Sequence, residues 1–268
     1  MTPDEFAYAA DLIRARTGFV LTRDKGYIIE NRLSPVVRRH RLKDVGELIG
    51  LVRGGAADLA AELLDAMMTK DTGFFRDWKP FAHLRDETLR DLARARVANK
   101  KLRILCAGVS TGQEAYSVAL TVQESGWFPS GWTIEILGID LSLAALTVAE
   151  RGRYTQFEVQ RGLPVNVLVD HFTKHLDLWV LDESVRRMVE FKAWNLLDDL
   201  APLGAFDVVL CRNVLAYFDL SSKAAVLGKL RRLMTDDGRM YLGATETTAG
   251  VAEGFRAVDA GLAVFARA

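Results

Sequence analysis

Cysteine is scarce: Cys106 and Cys211 are the only two in 268 residues, and both sit inside apolar runs. A disulfide scaffold is therefore excluded, and with no spaced Cys/His cluster no zinc or other metal site is expected. Reduced, buried thiols suit the cytoplasm. Long apolar runs are also missing: none approaches the ~20 residues that span a bilayer. The opening MTPDEFAYAADLIRAR lacks the apolar core of a signal peptide. A cytoplasmic protein without membrane insertion is expected. Neither sign of charge is in excess, with 35 Lys+Arg against 35 Asp+Glu. That balance argues against a broad nonspecific nucleic-acid footprint and so against nucleic acid as partner. What remains is an ordinary globular composition, 50% hydrophobic and 26% charged, in a chain long enough for two modest domains.

The first part of the chain reads as helical throughout. Phe6, Ala9, Ala10 and Ile13 recur at helical spacing until Gly18. Asp24 is placed to cap a second helix through Ile28, Leu33 and Val37, with Pro35 inside it. Asp44–Val52 and Asp58–Met68 read as two more helices, parted by Gly54-Gly55. The second helix is basic: Arg23 to Lys43 holds seven Lys/Arg against two acids. Such a face is either simply solvated or a docking surface for an acidic partner. MTKDTGFFRD, ending at Asp77, then breaks the pattern with a polar turn, two aromatics and an arginine, where Thr72 and Arg76 are candidates to edge a ligand cleft. A long helix, Trp78–Ala98, follows.

The stretch KLRILCAGVSTGQEAYS, Lys101 to Ser117, organises the rest. Leu102, Ile104, Leu105 and Cys106 suit a short buried parallel strand. Gly108, Ser110, Thr111 and Gly112 form a small-residue turn, and Glu114 opens a helix that Ser110 or Thr111 could cap. Strand, turn and helix start make the nucleotide-binding corner of an α/β domain. The turn lacks the G-x-G-x-x-G of a pyrophosphate cradle, and Glu114 would repel phosphate. A carboxylate there suits a ligand with hydroxyls or a cationic amine; S-adenosylmethionine has both and no phosphate. WTIEILG is a second buried strand ending at Asp140, where an α/β fold holds ribose hydroxyls; a helix-capping role is the alternative. LDLWVL and RRMVEF, within Leu176–Phe191, read as a hairpin attached to the sheet. FDVVLC delivers Arg212-Asn213 to a strand end, Asp219 or Ser221 can cap the helix that follows, and two more strands close the chain. Since ligands sit outside the carboxyl ends of such strands, Gly108 to Glu114, Asp140, Asn195-Leu196 and Arg212-Asn213 are nominated as one site.

In order and spacing, DTGFFRD, AGVSTGQEAYS, Asp140, WNLL, FDVVLCRNVLAYFD and YLGATE resemble the chemotaxis receptor glutamate methyltransferases, the CheR family. The resemblance covers nearly the whole chain. It implies an α/β, Rossmann-like class I methyltransferase sheet in residues 77–268, an N-terminal all-helical domain with linker in residues 1–76, and a small inserted β-hairpin subdomain at 176–191. It implies methyl transfer from S-adenosylmethionine to receptor glutamates, with S-adenosylhomocysteine as product. By motif, Thr72, Arg76, Gly108, Glu114, Asp140, Asn195, Leu196, Arg212 and Asn213 correspond to cofactor contacts. Arg76 could also hold the incoming carboxylate, and Tyr217 would face the reacting methyl. Chemoreceptor cytoplasmic domains are the implied partners, docking through Arg32, Arg38, Arg39 and Arg41.

This sequence departs from the family pattern at several positions. Lys70 replaces the asparagine of T-N-x-T-x-F-F-R, and Gln113 and Ala115 replace the first acid and the proline of G-E-E-P-Y-S. D-I-D becomes Asp140-Leu141-Ser142, and G-H-S-E becomes Gly243-Ala244-Thr245-Glu246. These positions bear on turnover more than on fold. The alternative function is a sensor or adaptor that binds S-adenosylmethionine or S-adenosylhomocysteine with little transfer. A small-molecule or nucleic-acid methyltransferase is disfavoured by the balanced charge and the lack of a basic, aromatic stripe.

Overall fold

Capping chemistry starts the first helix, Pro3–Thr17: Thr2 and Glu5 form a reciprocal capping box, and Pro3 occupies the first turn, where its missing N–H costs nothing. Gly18 ends it in the left-handed conformation, φ 74°. A side chain at Gly18 would also strike Phe218, whose ring lies 2.1 Å from where a Cβ would stand. Three more helices follow, Gly26–Arg39, Val45–Arg53 and Ala57–Met67, with Ile13, Ile29, Leu33, Leu48, Ile49, Leu63 and Met67 buried among them. Asp44 caps the third as expected, accepting from the Glu47 N–H at 2.9 Å. Asp24 does not cap the second. It lies in a single 3-10 turn, Arg23–Lys25, and the helix begins at Gly26 with no side-chain cap; a hydrogen bond with Thr22 instead holds the Asp24 carboxyl below its usual range.

The computed structural model describes residues 1–268. Met1–Thr69 with Tyr217–Lys223 form one compact unit, and Lys70–Ala216 with Ala224–Ala268 form the other. In the helical unit the Tyr217 ring stacks on Phe19, centroids 5.0 Å apart, the Val20 N–H donates to the Tyr217 carbonyl, and Arg14 pairs with Asp219 at 2.6 Å. The basic face is narrower than the sequence implies. Arg32 is half-buried and donates to the Met67 carbonyl and to Thr69 Oγ1, so it closes the end of the Ala57–Met67 helix. Arg39 pairs with Glu62 at 2.7 Å. Arg38 and Arg41 remain exposed.

The second unit is built on two sheets. Its strands are β1 (Lys101–Ala107), β2 (Thr133–Asp140), β3 (Arg153–Thr155), β4 (Phe172–His175), β5 (Leu178–Leu181), β6 (Val189–Ala193), β7 (Phe206–Cys211), β8 (Met234–Leu242), β9 (Phe255–Asp259) and β10 (Val264–Arg267). Seven make the main sheet in the order β6-β2-β1-β7-β8-β10-β9. The pairs β6–β2, β2–β1, β1–β7 and β7–β8 are parallel, and β10 is antiparallel to both neighbours. This is the doubly wound, Rossmann-like class I methyltransferase arrangement, with its switch point between β1 and β7. β7 is buried along its whole length, and Leu102, Ile104, Ile136, Val208 and Leu210 pack in the core.

Two sequence expectations change here. The hairpin is not LDLWVL with RRMVEF. β4 and β5 form it, turning at the exposed Leu176 (φ 55°), and β3 completes a three-stranded antiparallel sheet ordered β3-β5-β4. β6 instead pairs in parallel with β2. Alternation of Val189 and Phe191 with Glu190 and Lys192 fits any half-exposed strand and cannot specify a partner. Packing does: Phe191 lies over Gly138, where a Cβ would come within 2.8 Å of its ring. The long helix before β1 is also interrupted. A π turn at Leu84–Thr88 lets His83 and Thr88 both reach the buried Tyr241 hydroxyl, at 2.9 and 2.7 Å.

Candidate functional site

The carboxyl ends of β1, β2, β6 and β7 lie side by side in register, with Ala107 opposite Ile139, Asp140 opposite Ala193, and Cys106 opposite Leu210. The turn after β1 is held by backbone bonds. The Gly108 and Val109 N–H groups both donate to the Ile139 carbonyl, and the Gly112 N–H returns to Val109. Gly112 adopts φ 93°, and a Cβ there would lie 2.8 Å from that of Ala149, so only glycine fits.

Asp140 braces this turn: its carboxylate accepts from the Ser110 N–H and the Ser142 N–H, each at 2.8 Å. Ser142 itself caps the Leu143–Arg151 helix, so the simple capping alternative for Asp140 does not hold. Neither Ser110 nor Thr111 caps the Gln113–Ser125 helix, whose cap position is Gly112. Thr111 is turned to the Gln113 side chain at 2.8 Å, while the Ser110 hydroxyl is buried with no partner. The Trp194 N–H donates to the Asp140 carbonyl at 3.0 Å, and Asn195 Oδ1 accepts from the Leu197 N–H at 3.0 Å. Asn195 and the buried Leu196 are thus set at the end of β6, beside Asp140.

Arg212 is the centre of charge. Its side chain is fully buried and donates to Glu114 at 3.0 Å, to the Arg76 carbonyl at 2.8 Å and to Asp77 at 3.1 Å. Its Nε has no partner. Burial pushes the Glu114 carboxyl up from its ordinary value; Arg212 draws it back only in part. Two non-glycine residues with positive φ, Phe75 at 46° and Asp77 at 56°, flank Arg76. Such strain persists where surroundings enforce it; here the Phe75 N–H is held by Ser117 Oγ at 2.9 Å and the Arg76 carbonyl by Arg212. The Arg76 side chain is half-buried and donates to the Asp71 carbonyl at 3.1 Å.

The structure therefore gathers Arg76, Gly108, Glu114, Asp140, Asn195, Leu196, Arg212 and Asn213 at these strand ends, with Thr72 four residues before Arg76. Tyr217, four residues past Asn213, makes its ring contact with Phe19 in the helical unit. Sequence reasoning missed Asp77 and Ser117, although both stand inside the motifs FFRD and EAYS. Glu114 and Asp140 offer carboxylate acceptors for an amine and for hydroxyls, and the buried Ser110 Oγ is a further polar atom without a partner. That fits S-adenosylmethionine. A separate cavity of about 550 Å³ opens near the other end of the Gln113–Ser125 helix, lined by Phe75, Trp78, Phe81, Glu124 and Val167, and apart from Phe75 the motif residues do not line it.

The family described as CheR methyltransferase, SAM binding domain, matches residues 70–264, and that described as CheR methyltransferase, all-alpha domain, matches residues 4–68. The chain is similar to chemotaxis protein methyltransferase 1 of Pseudomonas aeruginosa, 34% identical over 257 residues that cover 94% of this chain and 93% of that protein. It is likewise similar to a chemotaxis protein methyltransferase of Vibrio parahaemolyticus, 33% identical over 96% of this chain and 94% of the other.

Proposed function

The chain belongs to the CheR methyltransferase family and is an S-adenosylmethionine-dependent methyltransferase, and from that premise we propose that it methylates glutamate side chains of chemoreceptors. The observation that carries the site assignment is the Arg212 network, in which one buried guanidinium ties FFRD, EAYS and CRN together. Glu114 takes the cofactor's amine and Asp140 its ribose hydroxyls, with Thr72, Gly108, Asn195, Leu196, Arg212 and Asn213 completing the cradle. S-adenosylmethionine, when bound, supplies an electrophilic methyl on a sulfonium. A glutamate side chain, pKa ~4.3, is already ionised near neutrality, so the protein needs no general base. Its task is positioning, with Arg76 holding the incoming carboxylate.

The test is incubation with labelled S-adenosylmethionine and a receptor cytoplasmic domain, then mapping of esterified glutamates. Labelled glutamates are expected; cofactor binding without any label on the receptor would instead make the chain a sensor or adaptor.

Two expected outcomes follow from the charges. Glu114 must be ionised to accept from an ammonium, and burial makes it take up a proton at a higher pH than an ordinary glutamate. Affinity for S-adenosylhomocysteine should therefore fall with decreasing pH in a window that begins above the usual carboxylate range. Calorimetry across that window should show the decline in the wild type and a flat response in Glu114→Gln. For docking, Arg38 and Arg41 are the informative positions, since Arg32 and Arg39 are engaged within the helical unit. Reversing both charges to glutamate should slow receptor methylation about tenfold at low salt while leaving cofactor affinity intact. Rates that ignore both the reversal and the salt would identify a merely solvated face.

A further inference from the structure

We propose that Glu246 is a positioning residue for Arg212 and Asn213, acting through their backbone without touching the ligand. This rests on the reading of those two residues as cofactor contacts. β7 and β8 remain paired as far as Cys211 opposite Leu242, and beyond that pair their N–H groups lose ladder partners. Glu246, 9% exposed, closes this end. Its Oε2 accepts from the Asn213 N–H at 2.8 Å and the Gly243 N–H at 2.7 Å, and its Oε1 from the Ala216 N–H at 3.3 Å. A turn, closed by the Glu246 N–H donating to the Gly243 carbonyl at 2.8 Å, folds the carboxylate back over the strand ends.

The backbone around it is shaped to this end. Asn213 adopts φ 61°, a conformation asparagine tolerates better than most residues. At Gly243 a Cβ would lie 2.8 Å from the Asn213 N and Nδ2 and from Glu246 Oε2, so the strand end comes close only because glycine stands there. A carboxylate is acceptor-only and can face three N–H groups at once. A glutamine would face two through its carbonyl oxygen and turn its own N–H₂ toward the third. Glu246 thereby fixes where Arg212 leaves the sheet, and with it the guanidinium that binds Glu114.

The experiment compares Glu246→Gln and Glu246→Ala with Tyr241→Phe, a buried change whose lost hydroxyl contacts His83 and Thr88 and none of the N–H groups that Glu246 holds. Readouts are S-adenosylhomocysteine affinity by calorimetry, KM for S-adenosylmethionine, kcat, and the thermal midpoint. Glu246→Gln should raise Kd and cofactor KM about tenfold, the loss of roughly one backbone hydrogen bond, with kcat and receptor KM unchanged. Glu246→Ala should raise them further; if it does not fold, Glu246→Gln alone decides. Tyr241→Phe should lower the midpoint with Kd unchanged. Wild-type Kd in Glu246→Gln, a fall in kcat rather than a rise in KM, or an equal Kd change in Tyr241→Phe would overturn the proposal. A wild-type protein that does not bind S-adenosylhomocysteine would overturn the site reading instead.

Discussion

Arg212→Met is expected to cost about 3 to 5 kcal/mol of stability, the usual penalty for removing one partner of a buried ion pair, and to abolish measurable cofactor binding. The methionine can fill much of the space of the arginine stem. It cannot donate to Glu114, to Asp77 or to the Arg76 carbonyl. The Glu114 carboxyl, already pushed up by burial, would then lose the charge that draws it down and would be pushed up further. The strained backbone on either side of Arg76 would lose the donor that holds its carbonyl. Urea denaturation measures the first effect and calorimetry with S-adenosylhomocysteine the second. The double variant Arg212→Met, Glu114→Gln should recover part of the stability, because no uncompensated charge remains buried, and none of the binding. A single variant within 1 kcal/mol of wild type would mean that the guanidinium does not hold these segments.

Asp140→Ala should weaken S-adenosylhomocysteine binding at least tenfold, since each charge-assisted hydrogen bond contributes ~1.5 to 3 kcal/mol. The same carboxylate braces the turn after β1 through the Ser110 and Ser142 N–H groups, so the ligand-free protein should also melt earlier. Asp140→Asn separates the two roles. Its carbonyl oxygen can still accept from one N–H, which should restore most of the melting temperature while affinity stays low. Unchanged affinity in Asp140→Ala would remove Asp140 from the site.

The corner after β1 was legible because its signals are local: an apolar run, glycines where the chain must turn, and an acid at the start of a helix. Asp140 and Arg212-Asn213 were legible for a topological reason, that strand ends on one side of a parallel sheet share a cleft. What the sequence could not show depends on contacts between distant segments. The Ser110 hydroxyl looks like a cap, yet its own N–H is claimed by Asp140 and its backbone is turned to φ 52°. Arg32 looks like part of a basic surface, yet it is spent on the Met67 carbonyl thirty-five residues away. β6 has the alternation of a hairpin strand, yet it pairs in parallel with β2, where Phe191 fits over Gly138. Arg212 in CRN reads as a ligand contact, whereas most of its donors serve the protein itself.

The placement of β10 carries a consequence for how the sheet is completed. β10 follows β9 in the sequence yet is its sole partner in the main sheet, lying between β8 and β9. Without Val264–Arg267 in place, β8 keeps one bare edge and β9 has no strand to pair with. One four-residue strand therefore closes two open edges at once, and any state in which it is out of the sheet offers both to pairing with other chains.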